Sequence, residues 1–141
     1  MLTLGVDPGI VNLGFGLIDG CTDPVLVDFG CIVADSEAST AQRLVTLHDG
    51  IERILESHPI TDLALEQTIF GRNTSTATSV AQASGIVMLC AAQCGIQIAE
   101  YSPPQIKNAI TGNGNASKRQ VQQMVKIILN LNKAPTPHHA A

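Results

Sequence analysis

Three short apolar runs open the chain, each closed by a turn signal, and they constrain the fold more than any other feature. Thr3 to Asp7 stops at Pro8-Gly9, Leu13 to Ile18 stops at Asp19-Gly20, and a third run extends from Val25 to Val33. Short strands joined by tight turns predict an antiparallel meander. The pattern then changes period. From Thr40, apolar residues recur at Leu44, Leu47, Ile51, Ile54 and Leu55, the spacing of an amphipathic helix that ends near His58-Pro59. Asp62 to Glu66 reads as a short buried strand whose last residue is an acid.

Beyond Glu66, the segment QTIFGRN lacks periodicity and predicts a loop that leads into a long helix from about Thr74 to Cys94. Ala77, Ala81, Ser84 and Gly85 recur three or four apart on that helix, which lets another backbone approach closely, within the core or across a dimer seam. Gly95 closes it, Ile96 to Tyr101 predicts a further strand, and Pro103-Pro104 open a short helix through Ile110. After TGNGN, Ser117 and Gln120 make a capping-box pattern ahead of a helical face of Val121, Met124, Val125, Ile128 and Leu129. A strand meander followed by alternating helix and strand predicts an α/β fold, a mixed five-stranded sheet flanked by helices, in one domain over 1–141. A further helix is expected after the tail, so the domain is read as C-terminally incomplete, its C-terminal helix missing.

The opening residues lack the basic start of a signal peptide, and no run of about 18 apolar residues is evident, so the expectation is a cytoplasmic protein without a membrane segment. Cys90 and Cys94 share a helix face with no second ligand pair nearby, and the four cysteines read as buried reduced thiols rather than a zinc site or disulfides.

The net charge of −4 argues against a nucleic-acid partner, because Lys and Arg supply most of such affinity. Its distribution argues the other way. Residues 1–66 hold eleven acids and two bases, whereas 67–141 hold one acid and six bases: Arg72, Lys107, Lys118, Arg119, Lys126 and Lys133. The halves carry −9 and +5. Such a chain can turn a basic face to a polyanion while its carboxylates collect cations, although an uneven, solvated surface would show the same split.

Asp7 and Glu66 each end a strand, where a side chain is left at a sheet edge. Two carboxylates so placed can share hard divalent cations such as Mg²⁺. Strand-end acids standing in solvent are the plain alternative, and a strand-Asp-turn also occurs in phosphotransferases of the actin and sugar-kinase type. Against that class, the chain is short for two such lobes and lacks a second phosphate-binding glycine loop.

The segments LGVDPGIVNLGFGLID, LALEQ, SPPQIKNAITGNGNASKRQVQQMV and HHAA stand in the order and at the spacings of the RuvC Holliday-junction resolvases, and the resemblance covers nearly the whole chain. It implies an RNase H-like fold and a homodimer that nicks two strands of a four-way DNA junction symmetrically, with two Mg²⁺ or Mn²⁺ ions per active site. It implies that Asp7 and Glu66 ligate metal, and that His139 takes the first place of the motif that completes the site, where an Asp expected after Ala141 would follow. Without that acid the 141-residue chain is expected to be inactive or impaired. Lys107 and Lys118 match basic positions near the scissile phosphate. Arg119 and Lys126 are expected to track the DNA backbone, Ile69 or Phe70 to stack on a base at the junction centre, and Arg72 and Asn73 to contact the backbone. Branch-migration partners of the RuvA and RuvB type are implied as a possible complex. The competing reading is an RNase H-like protein that binds branched DNA without cutting it, or with a different specificity.

Overall fold

The computed structural model describes residues 1–67 and 74–135. Strands β1 (Leu2–Asp7), β2 (Asn12–Asp19) and β3 (Val25–Val33) form the meander. Helix α1 (Thr40–Ser57), β4 (Asp62–Glu66), α2 (Thr74–Gln93), β5 (Gln97–Tyr101), α3 (Pro103–Thr111) and α4 (Lys118–Ile128) follow. The five strands make one sheet in the order β3-β2-β1-β4-β5. β1 pairs antiparallel with β2 and parallel with β4, and β4 pairs parallel with β5, so the sheet is mixed.

Alternation along the strands sends neighbouring residues to opposite faces. Leu4, Val6, Leu13, Leu17, Leu63 and Leu65 enter one face, where they form a single core with Leu47 and Ile51 of α1 and Ala83, Val87 and Cys90 of α2. The second face is built from small residues near its centre. Thr3, Gly5, Gly16 and Ala64 floor a groove of about 590 Å³ whose far wall is Val121 and Val125 of α4. α4 buries no residue fully, and Val121, Val125 and Leu129 of the apolar stripe read from its sequence line this groove.

Local chemistry sets the element ends. The capping box at Ser117 and Gln120 is present, and Ser39 with Gln42 and Ser102 with Gln105 repeat it. The cap of α1 is therefore Ser39, with Thr40 as the first helical residue. Pro103 and Pro104 occupy the first turn of α3, where their missing N–H groups cost nothing. Gly95 follows α2 at φ +70°, a conformation open to glycine without a Cβ penalty.

One expectation needs correction. Only Cys90 is buried; Cys21, Cys31 and Cys94 are free and exposed. Cys21 follows a turn, Cys31 lies on the edge strand over the open second face, and Cys94 lies just past the end of α2, so none reaches the core. Among the described residues, α2 also has the length and apolarity of a membrane span. Its buried residues Ala77, Ala83, Val87, Cys90 and Ala91 mark it as a core helix, although Ala81, Gly85 and Leu89 leave a stripe exposed.

Candidate active site

The register brings the two strand-end acids together. Val6 of β1 pairs with Leu65 of β4, so Asp7 and Glu66 follow side by side on adjoining parallel strands, about 4.8 Å apart at the backbone. Both belong to the second face, because Val6 and Leu65 point into the core. Asp7 pairs with Gly14 of β2, and Gly14 pairs with Cys31 of β3. On the other side Glu66 pairs with Tyr101 of β5. One row, Cys31, Gly14, Asp7, Glu66 and Tyr101, therefore crosses all five strands on the face away from α1 and α2.

Both acids are half-buried along a cleft of about 300 Å³ that Tyr101 and Ile106 also line. Among the described residues neither joins an ion pair. Burial pushes the Asp7 carboxyl above its ordinary range, against the pull of the Lys118 ammonium. Burial, reinforced by the charge of Asp7, pushes Glu66 up as well, against the pull of Lys107. Two like charges compete for one partly desolvated site. Burial, and then Asp7, also push the Cys31 thiol up.

A nearby cation would relieve both costs, and the donor set suits a hard one: carboxylate oxygens on a rigid sheet, open to a cleft that admits a phosphate. The lysines arrive from two helices. Lys107 lies on the second turn of α3 and Lys118 is the first residue of α4, whose N-terminal N–H groups add positive potential. Arg119 is exposed beside Lys118, and Lys126 lies two turns further along α4. Ile69, Phe70, Arg72, Asn73 and His139 lie outside the described residues.

The described residues contain one other group that can hold a cation, His48, Asp49 and Glu52, whose ligand atoms lie within 4.8 Å of one another. It is a surface feature of α1, the helix that covers the core face, and is thus across the sheet from Asp7 and Glu66. His48 is already engaged there, with Nδ1 3.1 Å from Asp49 and Nε2 3.5 Å from Glu52.

The sequence reading missed Tyr101, which lines the cleft, and the place of Cys31 in the same row of the sheet. Tyr101 ends its strand just as Asp7 and Glu66 end theirs, and that shared position is the signal that identifies it. Cys31 carries no comparable signal, because it sits mid-strand and its place depends on the β2–β3 register.

A five-stranded mixed sheet in this order, with helices packed on it and two acids at the carboxyl ends of adjoining parallel strands, defines an RNase H-like protein. The family model for crossover junction endodeoxyribonuclease RuvC matches residues 3–141. Crossover junction endodeoxyribonuclease RuvC of Desulfitobacterium hafniense (strain DSM 10664 / DCB-2) is 42% identical over the whole of this chain and 86% of that protein. The structure of T. thermophilus RuvC in complex with a Holliday junction substrate superposes with a TM-score of 0.91 at 31% identity, over 97% of this chain and 84% of that one. Ydc2, the yeast mitochondrial Holliday junction resolvase, shares the fold at a TM-score of 0.68 and 13% identity, over 91% of this chain and 60% of that one. The chain belongs to the RuvC family of crossover junction endodeoxyribonucleases.

Proposed function

We propose that this protein is a structure-selective endonuclease that resolves four-way DNA junctions by paired symmetric nicks, in recombination and repair. The observation that carries the reading is the pair of half-buried carboxylates at one sheet edge, charged against each other and each drawn on by a separate lysine. Family membership narrows the substrate to the branched DNA named for the relatives.

Asp7 and Glu66 would hold divalent ions, Mg²⁺ or Mn²⁺, two per site. Such ions, when bound, supply a nucleophilic water at neutral pH and stabilise charge on the attacking and leaving oxygens of a phosphodiester. The protein's own groups do the rest. Lys107 and Lys118 draw the phosphate onto the acids and offset negative charge as it develops there, with the N-terminus of α4 behind Lys118. Arg119 and Lys126 hold the flanking backbone, a role that positions the strand without reading its sequence. Ile69 or Phe70 would stack on an unpaired base, Arg72 and Asn73 would contact backbone, and His139 would join the metal ligands. Two carboxylates are a thin donor set for two ions, so further donors would complete the site.

Paired nicks require two sites at a fixed separation, hence a homodimer. The exposed Ala81, Gly85 and Leu89 stripe on α2 is the proposed seam. Action in the cytoplasm, alongside a branch-migration motor of the RuvA and RuvB type, completes the proposal. Its test is cleavage of a synthetic four-way junction by the full-length protein with Mg²⁺ or Mn²⁺. Asp7→Asn and Glu66→Gln should each lower the rate at least about a hundredfold, the scale on which a principal electrostatic group acts, while junction binding persists. Undiminished cleavage by either variant would refute the assignment.

A further inference from the structure

We infer that Tyr101 is a substrate-contacting residue of this site, its ring packing against the deoxyribose that flanks the scissile phosphate. The inference rests on the nuclease reading above and goes beyond it, since that reading gives Tyr101 no role.

Five observations converge. Tyr101 is the register partner of Glu66, on the same sheet face and one strand further from Asp7. It lines the cleft that holds both acids, beside the apolar Ile106. The residue is 43% exposed, so it leaves surface within the cleft for a ligand to cover. Its backbone is fixed, because the Gln67 N–H donates to the Tyr101 carbonyl at 2.8 Å and α3 begins directly after it with Ser102 as cap. Among the described residues its hydroxyl has no hydrogen-bond partner, so the ring is held in place by the strand rather than by its polar end.

A phosphate drawn onto Asp7 and Glu66, between Lys118 on one side and Lys107 on the other, leaves its strand running across the sheet edge. Either neighbouring sugar along that edge meets Cys31 across the gap above Gly14, or meets Tyr101 directly beside Glu66. In the second direction Tyr101 and Ile106 offer apolar surface within the same cleft as both acids. A deoxyribose presents apolar C–H surface and no sequence information, which suits a contact that must work at any base. The aromatic face is the part that matters, and the hydroxyl is dispensable.

The chain has one tyrosine and no tryptophan, so within it ultraviolet emission reports on Tyr101. Four-way junction DNA is titrated into the full-length protein without divalent metal. Emission is corrected for DNA absorbance with N-acetyltyrosinamide and for any other tyrosine with a Tyr101→Phe control. Saturable quenching is expected from Tyr101. Tyr101→Ala should raise the junction concentration for half-maximal single-turnover cleavage about tenfold, within the range of an aromatic contact to a nucleotide, whereas Tyr101→Phe should match the parent. Mn²⁺ affinity at the acids should be unchanged in both variants, which separates a lost DNA contact from a distorted site. Quenching absent beyond the controls, or Tyr101→Ala cleaving with the parent's concentration dependence, overturns the inference while leaving the nuclease reading intact. Failure of the unsubstituted protein to cleave overturns both, and it is seen without any variant.

Discussion

Asp7 and Glu66 are costly residues in the metal-free protein. Burial raises both carboxyl groups above ordinary values of 3.8 and 4.5, so the folded chain holds these protons more tightly than the unfolded chain does. Their contribution to stability is therefore full below the ordinary carboxylate range and is lost as pH rises through the raised folded values. Metal-free Asp7→Asn should escape part of this loss. Its melting temperature should equal or exceed the parent's at neutral pH and fall below it, relatively, in acid; thermal unfolding from acid to neutral pH in a chelator checks the crossing. A function that needs two charges in one place explains why the sequence keeps them despite that cost. The acids were legible because each closes an apolar run at a turn. That Glu66 also faces Tyr101 was not, because strand pairing, not spacing, decides which residues share a face.

At the scale of elements, the turn from β1 to β2 sets where Asp7 stands. A Cβ on Gly9 would come within 2.2 Å of the Asn12 carbonyl oxygen, a backbone atom that cannot swing aside. Gly9→Ala should cost about 1–3 kcal/mol of stability, the range for overpacking a tight site, and should lower cleavage more than junction binding. Urea unfolding and single-turnover assays read the two effects. The lysines belong to helix positions, Lys107 on the second turn of α3 and Lys118 at the start of α4. Lys118→Ala should reduce the slope of log affinity against log salt by about 1, as loss of one phosphate contact does. Fluorescence anisotropy over a salt series measures it, and an unchanged slope would remove Lys118 from the interface. The helices were readable from their 3.6-residue periods and their Ser-x-x-Gln caps. Burial was less so: α4 carries a clear apolar stripe yet buries no residue, because its partner surface is the open groove over Gly5, Gly16 and Ala64.

At the scale of the molecule, the sheet separates two jobs. One face makes the core with α1 and α2; the other has glycine and alanine near its centre and carries Asp7 and Glu66 along a cleft of about 300 Å³. The charge split along the sequence follows the same division only in part, since the acids of the first half include the two that the site requires. The mixed sense of the sheet was foreseeable from the meander and the helix-strand alternation, whereas its strand order emerges only from the pairing, and the burial of all four cysteines was not a sound expectation, because three of them fall at turns, ends and an edge. If α2 makes the dimer seam, Gly85→Arg should convert dimer to monomer in analytical ultracentrifugation, since an open position with no atom within 4 Å of a Cβ is free within one protomer but not between two. Paired nicks should then give way to single ones. A dimer that survives would place the seam elsewhere.

The most direct measurement is calorimetric titration of Mn²⁺ into the full-length protein, its Asp7→Asn and Glu66→Gln variants, and Glu52→Gln on the far side of the sheet. Each of the first two substitutions should weaken the ion at least about tenfold, and Glu52→Gln should leave it unchanged. Retention of Mn²⁺ by both sheet-edge variants together with its loss in Glu52→Gln would put the metal at His48, Asp49 and Glu52 and contradict the account.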